Sequence, residues 1–190
     1  NIYSPTWAKA SLIKENSGNQ CLQMKDMDPY DYCRAIRVFE ESQGVTASFK
    51  LKVQAMDSTQ FDIDITDRFG NRPVQISFDT DGYIKAVNGA KMKSIQKFEV
   101  DKWYSFTINY DTRGLGAYSL IIDDKPVADN LPAAMAVKSA ERISFRTGAY
   151  RDIPSRKTPN EVEMPPLKGA DEKQKLSSYL IDDVFITQIF

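Results

Sequence analysis

Strict alternation of apolar and polar side chains recurs along this chain, and it leaves little choice of secondary structure. In "VTASFKLKVQA", Val45, Ala47, Phe49, Leu51 and Val53 fall on one side, and Thr46, Ser48, Lys50, Lys52 and Gln54 on the other. A period of two is the signature of a strand with one buried and one wet face. "TQFDIDITD" repeats the logic, with Phe61, Ile63 and Ile65 inward and Gln60, Asp62, Asp64 and Thr66 outward. Between such runs stand "DRFGNRP", "DTDG", "VNGA", "DTRGLG" and "IDDKP", which supply the Gly, Asn, Asp and Pro that tight connections require. About a dozen short strands at hairpin spacing follow from this reading. Helix signal is thin: "NLPAAMAVKSAE" has room for a turn or two after Pro132. The expectation is an all-β, two-sheet antiparallel jelly-roll sandwich.

Composition narrows the chemistry. With 25 Lys+Arg against 26 Asp+Glu, the net charge of -1 lacks the basic surplus that phosphate backbones attract, so nucleic acid is not an expected partner. Apolar runs such as "SLII" and "YLI" have strand length, far below the roughly 20 residues of a membrane-spanning helix. Histidine is absent altogether. A Ser-His-Asp or Cys-His apparatus, a His-ligated zinc and a His general base therefore cannot be built from this chain.

The 190 residues read as a single domain. Residues 1–18 read as a linker or lead-in, and the opening on Asn1 without a signal-peptide pattern reads as one module of a longer protein. Residues 151–176 carry four prolines among many charges and read as a long surface loop, functional or disordered. Cys21 and Cys33 flank "LQMKDMDPYDY", which reads as a hairpin; it would bring the two sulfurs opposite one another, either bridged or as free buried thiols.

Several runs then resemble one family. Asp81-Gly82-Tyr83-Ile84, the strand from Trp103-Tyr104 to Asp111, the turn with Gly114 and Gly116, the aromatic strand from Tyr118 to Asp124 and the closing "YLIDDVFI" are similar to concanavalin A-like, laminin-G-type jelly-roll modules. The resemblance covers roughly residues 20–190. It implies a module appended to bacterial proteins that handle polysaccharides, with the opening "NIYSPTWAKASLI" as the tail of a preceding domain.

Enzymes on the same fold set two comparisons. Laminarinase-type glucanases carry a Glu-x-Asp-x-x-Glu strand that holds nucleophile and acid, and this chain has no such strand. Alginate-lyase-type enzymes read Arg-x-Glu-Leu-Arg, Gln-Ile-His and Tyr-Phe-Lys-Ala-Gly-x-Tyr in order; here "RAIR" (Arg34 to Arg37), "QIS" (Gln75 to Ser77) and "SFRTGAY" (Ser144 to Tyr150) stand in that order. The Glu is replaced by Ala35 or Ile36 and the His by Ser77. A lyase would have to work through Arg146 as carboxylate neutraliser and Tyr150 as proton shuttle. Structurally, "ISFRTG" is a strand with Ile143 and Phe145 inward and Arg146 outward.

A binding module instead needs polar and aromatic groups on a sheet face. The alternation nominates Lys50, Lys52, Gln54, Asp62, Asp64, Trp103 and Asn109, with Arg146 and Tyr150. The leading expectation is a non-catalytic carbohydrate-binding or accessory module of a larger exported polysaccharide-degrading protein, secreted, periplasmic or on the cell surface. Its partners would be a polysaccharide, with Lys and Arg suiting an anionic one, and other domains of the same polypeptide. The alternatives are the lyase and a laminin-G-type protein-interaction module. The family resemblance also implies a structural calcium, with Asp26, Asp28, Asp182 and Asp183 as oxygen ligands; Asp182 and Asp183 read equally as charges guarding a sheet edge.

Overall fold

A computed structural model describes residues 1–57, 59–148 and 169–189. Fourteen strands are described: β1 (Ile2–Tyr3), β2 (Ala8–Lys14), β3 (Gln20–Asp26), β4 (Arg34–Ser42), β5 (Gly44–Ala55), β6 (Phe61–Thr66), β7 (Val74–Phe78), β8 (Tyr83–Asn88), β9 (Lys91–Lys97), β10 (Trp103–Asp111), β11 (Ala117–Ile122), β12 (Lys125–Pro132), β13 (Ala140–Thr147) and β14 (Ser177–Ile189). They form two antiparallel sheets of seven strands, ordered β1-β4-β13-β6-β7-β8-β9 and β12-β11-β10-β5-β14-β3-β2. This is the expected two-sheet sandwich. Among the described residues there is no helix, so none long and apolar enough to cross a membrane. The run after Pro132 is turn and coil rather than helix.

The apolar halves of the alternating strands meet between the sheets. Ala35, Phe145, Ile63, Ile76 and Ala86 lie in register across the first sheet. Phe49 and Phe106 lie side by side on the second. Phe49 stacks on Phe106 with ring centroids 5.0 Å apart and meets Phe145 of the opposite sheet edge-on at 5.2 Å, while Phe78 closes on Phe106 at 5.7 Å. Aromatic rings prefer such offset and edge-on geometries. Two buried tyrosine hydroxyls are bonded across the core: Tyr118 donates to the Val87 carbonyl and Tyr179 to that of Thr59.

Two local readings change. Residues 1–18 are not a lead-in alone, since β1 pairs with β4 and β2 with β3. "LQMKDMDPYDY" is not a hairpin, because β3 and β4 belong to different sheets and the segment crosses between them. Cys21 and Cys33 are consequently both free and buried. Cys33 packs under Thr147, whose hydroxyl accepts its backbone N–H at 3.0 Å, and burial pushes its thiol up to about 12. The β14–β3 ladder ends at Ile181, and from Asp182 on β14 pairs with β5 alone, so Asp182 and Asp183 stand where one side of the strand is open. Tyr150 and most of the 151–176 segment lie outside the described residues.

Candidate functional site

Strand register places one continuous polar row on the outer face of the first sheet. Arg34 of β4 faces Arg146 of β13, Arg146 faces Asp62 of β6, Asp62 faces Ser77 of β7, and Ser77 faces Lys85 of β8. Directly opposed residues point to the same side of a sheet. A second row, Ser144, Asp64 and Gln75, runs beside it. The lyase-like runs "RAIR", "QIS" and "SFRTGAY" thus supply neighbouring strands of one sheet, around β6.

Several devices hold this row in place. The Arg146 guanidinium carbon lies 3.6 Å from the centroid of the Tyr32 ring, and that of Arg34 lies 6.0 Å from it. Tyr3 packs on Tyr32 at 5.1 Å and donates its hydroxyl to Asp31 Oδ2 at 2.9 Å. Just past Arg146, β13 ends at Gly148, whose φ of 74° suits glycine and strains any side chain. The Gly148 N–H donates to the Gln60 carbonyl at 3.0 Å, which ties the end of β13 to the start of β6. Gln60 donates through Nε2 to both oxygens of Asp62, at 3.1 and 3.0 Å. Arg72 Nη2 reaches Asp64 Oδ1 at 2.9 Å, and Lys85 Nζ lies 2.6 Å from both Asp79 and Asp81. Beyond Asp62 the face opens into a cleft of ≈ 300 Å³ lined by Gln60, Asp62, Arg72, Gln75, Ser77 and Lys85, with Asp79 and Met92 at its side.

Asp62 and Asp64, expected on a wet face, are 3% and 0% exposed. Gln60 bonds Asp62 and Arg72 bonds Asp64 in these buried positions. Burial, with the neighbouring Asp64 charge, pushes the Asp62 carboxyl up to about 6, against the hydrogen bonds from Gln60. Asp26 is likewise pushed to about 6 by burial, against the Thr147 hydroxyl and the Asp28 N–H. A carboxyl raised in the native state makes the fold hold more protons than the unfolded chain between about pH 4 and pH 6, so stability falls as pH rises through that window. Glu15, Asp79 and Asp111 are lowered by their bonds to Lys52, Lys85 and Arg113, and their contribution is lost only at lower pH. Between pH 7.5 and 5, Asp26 and Asp62 should each return about 1.4 kcal/mol. Calorimetry should therefore show a melting temperature roughly 5–10 °C higher at pH 5 than at pH 7.5, and Asp62→Asn should remove about half of the difference. A melting temperature that rises toward pH 7.5 would contradict this.

The other nominated residues lie on the opposite side of the molecule, on the outer face of the second sheet. Trp103 of β10 faces Lys52 of β5, and Asn109 faces Thr46. Trp103 is half-buried with the Lys52 ammonium 5.0 Å from its ring centroid, and Lys52 is paired with Glu15 at 2.6 Å. Lys50 is paired with Asp183 at 2.8 Å. Gln54 accepts from Gln23 at 2.8 Å and Ser178 at 2.9 Å. What reads as one binding face in sequence is therefore two, because alternation marks which side chains point outward but not which sheet they leave from.

The four candidate calcium ligands also separate. Asp26 faces Ser177 across the β3–β14 ladder, so Asp182, five residues further along β14, lies about 17 Å away. Asp26 Oδ1 accepts the Asp28 N–H at 2.9 Å, and Asp28 Oδ1 accepts those of Tyr30 and Asp31, at 2.9 and 2.7 Å; these carboxylates fold the crossing segment. Asp182 Oδ2 accepts from Asn19 at 2.6 Å. Among the described residues no three His, Cys, Asp or Glu side chains come together to hold a metal ion, so the four do not fit a shared calcium site.

Sequence reasoning singled out Gln60, Asp62, Asp64 and Arg146 but not Tyr32, Arg72 or Lys85 as members of this site. Arg34, Gln75 and Ser77 carried a signal only through the lyase-like runs. Arg72 and Tyr32 sit in turn-like stretches where no periodicity points them anywhere.

A family model described as "Sialidase-like, CBM domain", where CBM denotes a carbohydrate-binding module, matches residues 1–162. Among solved structures, a sialidase is similar over 99% of this chain at 28% identity with a TM-score of 0.86, and this chain spans only 17% of its length. The endo-β-1,4-glucuronan lyase of the fungus Trichoderma reesei is similar over 100% of this chain and 91% of its own, at 12% identity and a TM-score of 0.60. A cellulose induced protein, Cip1, is similar over 99% and 90% respectively, at 10% identity and 0.61. The last two likenesses are of fold alone. No curated protein sequence matches the chain. With the family model covering most of the residues and the two-sheet jelly roll beneath it, the chain belongs to the sialidase-like CBM domain family.

Proposed function

We propose that this chain is a non-catalytic carbohydrate-binding module of a larger exported polysaccharide-degrading protein, and that the outer face of the first sheet takes an acidic glycan. The observation that carries this reading is the in-register row Arg34, Arg146, Asp62, Ser77, Lys85. It crosses the strands as a glycan chain laid over a sheet would. Arg34 stands half-buried at one end, with Arg146, 6% exposed and seated on Tyr32, behind it; a guanidinium fork matches a carboxylate in a two-point geometry. Asp62, next in the row, is raised to about 6, so its charge offsets the guanidiniums at neutral pH and is lost as pH falls through 6, where that end becomes net positive. Amides, hydroxyl and ammonium in the adjoining cleft suit sugar hydroxyls. The family, and the similarity to one-sixth of a sialidase, support a binding module within a larger carbohydrate-active protein.

A lyase is the second reading, favoured by the adjacency of the three lyase-like runs. Elimination needs a base for the sugar-ring proton, and Ser77 stands where that pattern has His, in a chain with no histidine. Asp62 does not replace it readily, since Gln60 engages both its oxygens. Loss of one positioned acid or base commonly costs about 10²–10⁴-fold.

Calorimetric titration with acidic hexasaccharides tests the proposal. Arg34→Ala, at a half-buried position, should weaken binding roughly tenfold or more, as loss of a hydrogen bond to a charged group does. No ultraviolet-absorbing unsaturated product should accumulate. Unchanged affinity in Arg34→Ala would overturn the assignment of the face. Steady product formation that vanishes in Tyr150→Phe would install the lyase.

A further inference from the structure

The outer face of the second sheet is built for contact in a way that the acidic-glycan reading leaves unexplained. Across β5, β10 and β11 runs a polar ladder: Thr46 donates its hydroxyl to Asn109 Oδ1 at 2.8 Å, and Asn109 Nδ2 donates to Ser119 Oγ at 3.3 Å. Asn109 is exposed, yet bonds on both sides hold its amide in one orientation, so little freedom remains to be lost on binding. The ladder floors a groove of ≈ 600 Å³ that continues past Arg113 to Asp129 and Asn130.

Beside it stands an exposed aromatic ring. Phe185 of β14 faces Ser48 of β5, one step diagonally from Thr46, a spacing within reach of an aromatic side chain. Phe185 is 64% exposed. It faces outward because β14 breaks register between Asp182 and Phe185. Asp183 there adopts a φ of 50°, a costly conformation for a non-glycine residue in the middle of a strand. Lys50 pairs with Asp183, and Asn19 holds Asp182. A strained bulge thus presents a phenyl ring to solvent next to a fixed amide.

We infer that this face is a second, separate glycan-contact surface, with Phe185 stacking on a pyranose ring and the Thr46, Asn109 and Ser119 ladder bonding the hydroxyls of neighbouring sugars. Charge identifies the ligand as a neutral oligosaccharide. Arg113 in the groove is engaged by Asp111 at 2.5 Å, Asp129 adds negative charge, and Lys50 and Lys52 of β5 are paired with Asp183 and Glu15. Among the described residues, the cations that line this groove or stand on β5 beside Phe185 are all paired, which leaves no surplus there to favour a carboxylate.

Titration of the isotope-labelled chain with cellohexaose, mannohexaose, xylohexaose and galactohexaose, followed by amide NMR, tests this inference. At least one should shift the signals of Thr46, Asn109, Ser119 and Phe185 while leaving Arg34 and Lys85 unmoved. Phe185→Ala should weaken that binding roughly tenfold, and Phe185→Trp should restore it. The ring is exposed, so neither change threatens folding. Shifts by none of the four sugars at these positions, or wild-type affinity in Phe185→Ala, would overturn the inference. An acidic hexasaccharide added to the same sample reports on the first sheet through Arg34 and Lys85, so failure of either surface is seen separately.

Discussion

Phe49→Ala should destabilise the domain by about 3–5 kcal/mol and lower its melting temperature by roughly 10 °C or more. Phe49 is 2% exposed and touches both layers: it stacks on Phe106 within its own sheet and meets Phe145 of the other edge-on. Removing the ring leaves a void between two sheets whose strands are pinned by their ladders, and a pinned wall collapses poorly into a cavity. Phe145 is the inward neighbour of Arg146, so the same change should loosen the row that Arg146 anchors. Phe49→Leu, which keeps most of the volume, should cost clearly less. A loss below about 1 kcal/mol for Phe49→Ala by calorimetry would show that the aromatic cluster is not what joins the sheets.

Arg72→Ala should be about as damaging. Asp64 is fully buried, and Arg72 lies 2.9 Å from its Oδ1. Taking away one partner of a buried ion pair leaves the other charge in low dielectric, at a cost of about 3–5 kcal/mol. The pair need not stabilise the fold in net terms for this to hold, because the penalty belongs to the carboxylate left behind. Arg72→Ala combined with Asp64→Asn should therefore recover much of the loss, as read by urea denaturation. If the double variant is no more stable than Arg72→Ala, the buried charge is not the cause. Arg72 also lines the cleft beside Asp62, so the single variant should lose affinity for an acidic glycan together with stability.

How far the sequence alone carries is clearest strand by strand. The alternation along β5 is realised residue by residue, with Val45, Ala47, Phe49, Leu51 and Val53 all buried. Turn chemistry places the hairpins of β7 to β12 because those connections are local and their Gly, Asn and Asp residues have few other conformational uses. The crossing from β3 to β4 is the counter-example. Its "DMDPYDY" has good turn residues, but which sheet the next strand joins depends on pairing partners far away in sequence, and nothing within the segment encodes them. The Asp62 and Asp64 burial was hidden for a related reason: a polar alternate position looks exposed until its partners, Gln60 for Asp62 and Arg72 for Asp64, are known. The bulge at Asp183 is likewise invisible to a period-two reading, which carries "YLIDDVFI" straight through the position where the backbone switches faces. For the site, the lyase-like runs put Arg34, Gln75, Ser77 and Arg146 on the page in the right order, while only register shows them to be neighbours of Asp62 and Lys85.

The most direct test of the account is an amide NMR map of the chain with an acidic hexasaccharide. The row Arg34, Arg146, Asp62, Ser77 and Lys85 predicts shifts concentrated on β4, β13, β6, β7 and β8, strengthening as pH is lowered through 6 and Asp62 gains its proton. Shifts confined to the outer face of the second sheet, or no shifts on either face, would contradict it.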